Sequence, residues 1–220
     1  MGGRQLASKW LKTQALLTDP KVAPYIPQTR ELSMENLRKM IRAHGFVVVK
    51  PVVGGGGYGV IKVARSGARY SMTHSSKTSH YGSFHDMYHA LLRVKVKRKY
   101  LIQKGIHLAR IRGRPIDYRV KYVKNGEHWE FRAMVGRLAR SGLFVTNLCK
   151  GGNLLSCKEG LRRSLPHVSS TAKRHEMRQL TRQCTAILER HFPGIGKLGF
   201  DYGLDQEGRI WIFEVNTRPQ

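Results

Sequence analysis

The sequence predicts an α+β fold built on antiparallel sheets, and three observations lead there. Helical and strand patterns follow one another without the strand–helix–strand alternation of a parallel sheet. Two-residue turn signals, Ser66-Gly67 and Asn125-Gly126, join neighbouring strand patterns into hairpins. The chain has 220 residues, 40% of them apolar, which suffices for one large domain or two lobes sharing a cleft.

Residues 6–17 read as a helix that stops near Thr18-Asp19-Pro20, and Pro24 and Pro27 punctuate the loop that follows. Ser33 is placed to cap a second helix carrying Met34, Leu37, Ile41 and His44 on one face, with Gly45 as its stop. Residues 46–50 form a short buried strand ended by Pro51, and residues 60–64 and 69–73 a hairpin. Ser83 and Asp86 suit the start of a helix with Phe84, Met87, Tyr88, Leu91 and Leu92 inward. Residues 100–103 are a strand, and 116–124 and 128–138 a long hairpin. Residues 141–171 read as loop-rich. Residues 172–191 are a helix burying Met177, Leu180, Cys184, Ile187 and Leu188, and residues 198–202 and 210–215 close the chain as two strands. The expected division is a helical entry segment (1–45), a small lobe with the glycine loop (46–102) and a C-terminal lobe with a metal site (103–220).

Forty Lys and Arg against fourteen Asp and Glu give a formal charge of +26. Such an excess attracts polyanions: nucleic acid, nucleotides or acidic proteins. The acids are unevenly spread. Between Asn36 and Pro115 the single acid is Asp86, whereas Asp201, Asp205, Glu207 and Glu214 crowd the last twenty residues. Acids gathered in one corner of a basic chain suggest a metal site facing an anion site. No run approaches the roughly 20 apolar residues that span a bilayer, so no membrane partner is expected. The start, MGGRQLASKW, lacks the apolar centre of a signal peptide. Three cysteines with no C-x-x-C pair fit a reducing compartment, and a cytoplasmic location is expected.

Four constellations could carry chemistry. In the first, Lys50 ends a strand and Gly54, Gly55, Gly56, Gly57 and Gly59 follow, which lets backbone N–H groups and an ammonium approach phosphate oxygens. A plain flexible loop is the alternative reading. In the second, Asp201 and Glu214 lie on the two closing strands, and Glu214 and Asn216 are two apart and so share a face. Three oxygen donors on one face suit Mg²⁺; a solvated surface pair is the alternative. The third joins Gln103-Lys104-Gly105-Ile106 with Asp117-Tyr118-Arg119. The fourth places Arg137 and Arg140 before Thr146-Asn147-Leu148 and the Gly151-Gly152 pair, a composition that fits an oxyanion or phosphate site. His74, His80, His85 and His89 cluster without carboxylate or Cys partners and make a poor zinc set. The run 93–99 alternates like a strand edge and is also placed to guide an acidic substrate.

Together these motifs resemble the ATP-grasp superfamily over about residues 9–219, and most of all the YheC/YheD-like ATP-grasp proteins associated with endospore coats. The matches are Val-Val-Lys-Pro before the glycine loop, Ile-Gln-Lys-Gly-Ile, Asp-Tyr-Arg-Val, Thr-Asn-Leu-x-x-Gly-Gly and the ending Glu-Val-Asn-Thr-Arg-Pro. The resemblance implies two α+β lobes with antiparallel sheets clamping ATP, and an absent N-terminal pre-ATP-grasp domain. It implies that Lys9 and Lys50 contact the phosphates, that residues 54–59 cover them, and that Lys104 and Ile106 bond the adenine edge beside Gln103. It places Asp117 at the ribose hydroxyls, and Arg119, Arg137 and Asn147 at the phosphoryl group. Asp201, Glu214 and Asn216 would hold Mg²⁺, with Mn²⁺ as a substitute. The implied activity is an ATP-dependent carboxylate–amine (or thiol) ligase acting through an acyl phosphate on an acidic small-molecule, peptide or polyanionic acceptor. The alternatives are an ATP-binding, spore-associated structural protein with little catalysis, or a basic nucleic-acid-binding protein. Gly199 stands where dipeptide ligases of this superfamily carry an arginine, which argues against that substrate class.

Overall fold

The computed structural model describes residues 4–146 and 151–219. In chain order the first elements are helix α1 (Lys9–Leu17), a 3-10 turn (Ala23–Tyr25), strand β1 (Thr29–Glu31), helix α2 (Met34–His44) and strand β2 (Phe46–Pro51). Next come β3 (Ile61–Ser66), β4 (Arg69–His74), β5 (Lys77–Tyr81), α3 (Phe84–Val94) and β6 (Tyr100–Lys104). The remainder is β7 (Arg110–Ile111), β8 (Arg114–Asn125), β9 (His128–Leu138), β10 (Asn153–Ser156), α4 (Cys157–Ser164), α5 (Ser170–His191), β11 (Lys197–Leu204) and β12 (Ile210–Asn216). Every paired strand among the described residues is antiparallel, as the sequence predicts.

The chain folds into two compact units. One spans Pro27–Ile106 with Gly142–Val145; the other runs to Ile26, from His107 to Ser141, and onward from Thr146. Helix α1 therefore belongs to one unit and α2 to the other.

The Pro27–Ile106 unit holds a six-stranded sheet in the order β1-β6-β2-β3-β4-β5. Helices α2 and α3 supply its cover, burying Leu37, Met40, Ile41, Met87 and Leu91 against Val47, Val49, Ile61, Val63 and Ile102. Ser33 caps α2 by accepting from Asn36 N at 3.1 Å, and Gly45 ends it at φ 73°. Ser83 accepts from Asp86 N at 3.1 Å and donates to the Asp86 carboxylate at 2.7 Å. The buried stripe of α2 is centred one position further round than expected: Met40 is inside and Met34 is 39% exposed. The run 93–99 forms no strand, because α3 continues through Val94. Strands β1 and β5 escape the sequence reading, since Thr-Arg-Glu and Lys-Thr-Ser-His-Tyr show no apolar alternation. Both lie at sheet edges, where half-covered strands need none.

In the second unit the sheet order is β10-β9-β8-β11-β12, with β7 paired to β8. Asn125 and His128 pair across a two-residue turn in which Gly126 takes φ 58°. One sheet face carries Ile116, Tyr118, Val120, Leu198, Phe200 and Tyr202 into the core. Helix α5 meets them with Met177, Leu180, Cys184, Ile187 and Leu188, the predicted stripe, plus two buried threonines. Thr181 and Thr185 return their hydroxyl protons to the carbonyls four residues back, and Thr181 also meets Tyr202 Oη at 2.9 Å. The expectation of a loop-rich 141–171 is corrected at residues 153–164. Ser156 caps α4 through Glu159 N at 3.1 Å, and β10 pairs with β9. Gly160 lets α4 approach the sheet, since a Cβ there would lie 2.9 Å from Ile116 Cδ1.

Candidate functional site

The opposite face of this second sheet is polar. Alternation places Asp117 and Arg119 of β8 on it, because their neighbours Ile116, Tyr118 and Val120 point into the core. The register sets Arg137 opposite Asp117, Arg119 opposite Asp201, Asp201 opposite Glu214, and Gly199 opposite Asn216. A bulge after Asp201 makes Phe213 an extra residue on β12. Gly203 leaves room for its ring, which would stand 2.3 Å from a Cβ there.

These side chains form one ion-pair network, Asp117–Arg137–Asp201–Arg119, and a separate Lys9–Glu214 pair beside it. Arg137 Nε and Nη2 donate to the two oxygens of Asp117 at 2.8 and 2.5 Å, a bidentate pair. Arg137 Nη2 also reaches Asp201 Oδ1 at 2.8 Å, and Arg119 Nε reaches the same oxygen at 2.7 Å. From the first turn of α1, Lys9 Nζ meets Glu214 Oε1 at 2.9 Å. Asn216 Nδ2 lies 3.4 Å from Asp201 Oδ2. Lys9, Arg119 and Arg137 thus balance Asp117, Asp201 and Glu214 in the formal count.

Burial dominates the electrostatics. It pushes the Asp201 carboxyl up to about 6, against the pull of Arg119 and Arg137 and with Asp117 and Glu214 adding to the rise. It lowers the Lys12 ammonium to about 8, with Glu214 opposing and Lys9 adding to the fall. Lys12 Nζ donates to the Leu6 carbonyl at 2.6 Å. Because the folded state holds the Lys12 proton less tightly than the unfolded chain does, stability should rise with pH from about 8 to the ordinary 10.5. Denaturant titrations across that window should show the rise, and Lys12→Met should flatten it.

The donor set fits a hard divalent cation: two carboxylates and a carboxamide offer oxygen only. Among the described residues no three His, Cys, Asp or Glu side chains converge in a metal-holding group, so Asn216 would complete the set. An anion is also accommodated. Among the described residues the buried Arg119 Nη1 makes no hydrogen bond, and Asp201 Oδ1 beside it meets Arg119 and Arg137 as ion pairs only. Gly199 makes space for that nitrogen, since a Cβ would stand 2.6 Å from Nη1 and 2.6 Å from Pro219 Cβ. Gly199→Ala should displace the guanidinium at a cost of about 1–3 kcal/mol, read by urea unfolding.

In the other unit, Lys50 is 8% exposed and donates to Gln103 Oε1 at 2.8 Å, while Gln103 Nε2 donates to Thr29 Oγ1 at 3.1 Å. Gly56, Gly57 and Gly59 all take left-handed φ values of 64 to 71°, and Gly54 lies at 156°. Lys104 N–H is bonded to the Gln28 carbonyl at 2.8 Å, and Ile106 closes the unit, half-buried. The predicted residues therefore fall into two groups: Lys9, Asp117, Arg119, Arg137, Asp201, Glu214 and Asn216 in one unit, and Lys50, the glycines, Gln103, Lys104 and Ile106 in the other. Asn147 lies outside the described residues. His85 and His89 meet each other at 3.0 Å between Nε2 atoms, and His89 also lies edge-on to Tyr88. The sequence reading missed Lys12 and the bidentate Asp117–Arg137 pair.

The fold agrees with known proteins. The family described as YheC/D like ATP-grasp matches residues 2–220. The endospore coat-associated protein YheD of Bacillus subtilis is 29% identical, over 96% of this chain and 48% of its own length. YheC of the same organism is 25% identical, over 99% of this chain and 61% of its own length. The chain thus spans about half to three-fifths of these relatives. The crystal structure of N5-carboxyaminoimidazole synthase from Aspergillus clavatus, in complex with ADP and 5-aminoimidazole ribonucleotide, shares the fold with a TM-score of 0.60 at 16% identity, covering 100% of this chain and 46% of that one. This chain belongs to the YheC/D-like ATP-grasp family.

Proposed function

We propose that this chain is an ATP-dependent ligase that joins a carboxylate to an amine or thiol, with an acidic or polyanionic acceptor. The observation that carries the reading is the cluster of buried Arg137 and Asp201 with half-buried Arg119 and Glu214, in which Arg119 Nη1 has no acceptor among the described residues. Asp201, Glu214 and Asn216 would hold Mg²⁺, or Mn²⁺ in its place, and the bound ion would supply charge neutralisation to polyphosphate oxygens. Lys50 and the backbone of Gly54, Gly55, Gly56 and Gly57 serve the phosphates, and the chain from Gln103 to Ile106 serves the adenine edge. Lys9 adds a positive charge beside Glu214. Asp117, expected at the ribose, has both oxygens on Arg137 and in this proposal orients that guanidinium.

The reaction needs little covalent chemistry from the protein. A carboxylate oxygen of the acceptor attacks the γ-phosphorus of ATP and ADP departs, leaving an acyl phosphate. The amine nitrogen attacks the acyl carbon, phosphate leaves, and the nitrogen gives up a proton. Arg119 donates Nη1 to the charge that develops on the phosphoryl and carbonyl oxygens, held in place by Asp201. Asn147, four residues before Gly151 in the sequence, is assigned to the same oxyanion. The test is release of ADP over a panel of carboxylate and amine pairs, with amide formation required alongside. Clean ATP binding without turnover on any pair would favour the structural reading, to which the relatives' name, endospore coat-associated, gives support.

A further inference from the structure

The cation-rich segment after α3 is not absorbed by the ATP chemistry. Its lysines and arginine lie between the end of α3 at Val94 and the start of β6 at Tyr100. Lys97, Arg98 and Lys99 are exposed, and so are Val96 at 48% and, on the glycine loop side, Val53 at 45% and Tyr58 at 64%. Two hydrogen bonds and one close approach tie this segment to the glycine loop within the same unit. Val52 N–H donates to the Lys99 carbonyl at 2.9 Å, and Arg98 Nη1 donates to the Val53 carbonyl at 3.3 Å. Tyr100 Oη accepts from Val96 N at 3.2 Å, and a Cβ on Gly59 would stand only 2.7 Å from that same oxygen. The basic segment and the phosphate-covering loop are therefore one surface.

Cations outnumber acids around it. Lys95, Lys97, Arg98 and Lys99 fall within five residues, while the register brings Glu31 of β1 opposite Leu101. Asp86 is engaged with Ser83 near the start of α3, about 12 Å along the helix from Val94 and beyond a Debye length in physiological salt, so the local field stays positive.

We propose that residues 95–99 and the adjoining glycine loop form a docking surface for an acidic polypeptide, the acceptor of the ligase. The inference rests on the ligase reading in one respect: a polypeptide carries both carboxylates and amines, the groups such a reaction joins, and nucleic acid lacks carboxylates. The surface chemistry agrees. Lysines give point charges suited to side-chain carboxylates on a flexible chain, and Val53 and Val96 offer apolar contact between them. Single-strand nucleic-acid sites stack successive bases on several aromatic rings, whereas Tyr58 is the one aromatic exposed on this surface.

The experiment is anisotropy titration of labelled poly-L-glutamate against the full chain, at about 0.1 M salt where surface charges still act over about 10 Å. K97E/K99E is compared with K158E/R162E, an equal change of net charge on two exposed residues of α4. The expected result is a dissociation constant raised about tenfold or more by K97E/K99E and about twofold or less by K158E/R162E. K97Q/K99Q should give an intermediate loss, and thermal melts should show all three variants folded. Equal losses in both reversals, no loss in either, or tighter binding of single-stranded DNA of matched charge would overturn the proposal. Thermal shift of the wild type by Mg²⁺-ATP is recorded separately. Its absence sinks the ligase reading, while the poly-glutamate comparison still decides whether the surface docks an acidic chain.

Discussion

Arg137→Met is expected to destabilise the protein by about 3–5 kcal/mol, the largest effect of any single substitution in the site. The guanidinium is 7% exposed and makes all three of its contacts to carboxylates. Removing it strands Asp117, itself 7% exposed, with no cation on either oxygen, and leaves Asp201 to Arg119 alone. Uncompensated burial of charge is far costlier than the loss of an attractive pair, so the cost comes from what remains. The double variant Arg137→Met, Asp117→Asn should therefore recover a large part of the loss, because it removes the stranded charge as well. Urea unfolding of the wild type, both single variants and the double variant closes the cycle. A loss below about 1 kcal/mol for Arg137→Met would mean that the pair behaves like an exposed one.

The second large effect is on activity. Asp201→Asn and Glu214→Gln should each abolish ATP turnover, lowering kcat by about a thousandfold or more, since each removes an oxygen donor and a negative charge at the polyphosphate. The two should differ in their partners. Asp201→Asn loosens Arg119 and Arg137 together, because both lie on Asp201 Oδ1, whereas Glu214→Gln releases only Lys9. Arg119→Lys separates charge from geometry: it keeps the cation but loses the buried Nη1, so turnover should fall while folding persists. Single-turnover ADP release with the folded variants provides the measurement. Turnover within about tenfold of wild type for Glu214→Gln would remove that carboxylate from the chemistry.

Most of this architecture is legible in the residues because local signals and burial agree. Ser33 and Ser83 announce their helices by caps that form as read, and α5 shows its core stripe directly. The shared face of Asp201, Glu214 and Asn216 is legible from spacing alone, since two strands of period two put them there. What escaped has physical causes. Strands β1 and β5 are edges whose pairing is set by a neighbour rather than by their own alternation. Helix α4 is only two turns long and carries Gly160, which lowers its helical signal; its cap Ser156 with Glu159 three residues on was the available clue. The Asp117–Arg137 pair joins residues twenty apart through the register of a long hairpin, and its bulge at Lys121/Tyr122 is invisible to a pattern search. Lys12 carries no motif of its own, and helical geometry sends Lys9 to Glu214 and Lys12 to the Leu6 carbonyl.

The basic excess divides accordingly. Lys9, Arg119 and Arg137 neutralise carboxylates inside one unit, and Lys50 is bound to Gln103 in the other. The exposed cations of residues 97–99 outnumber the acid that the register brings near them, Glu31, which is why they are the part of the charge assigned to a partner.

The most direct measurement is calorimetric titration of the full chain with a non-hydrolysable ATP analogue, with and without Mg²⁺, for the wild type and for Glu214→Gln. Saturable binding by the wild type that requires Mg²⁺, and its loss in a folded Glu214→Gln variant, is the expected result. Absence of binding by the wild type, or binding that is indifferent both to Mg²⁺ and to the loss of Glu214, would contradict the assignment of this carboxylate cluster to nucleotide chemistry.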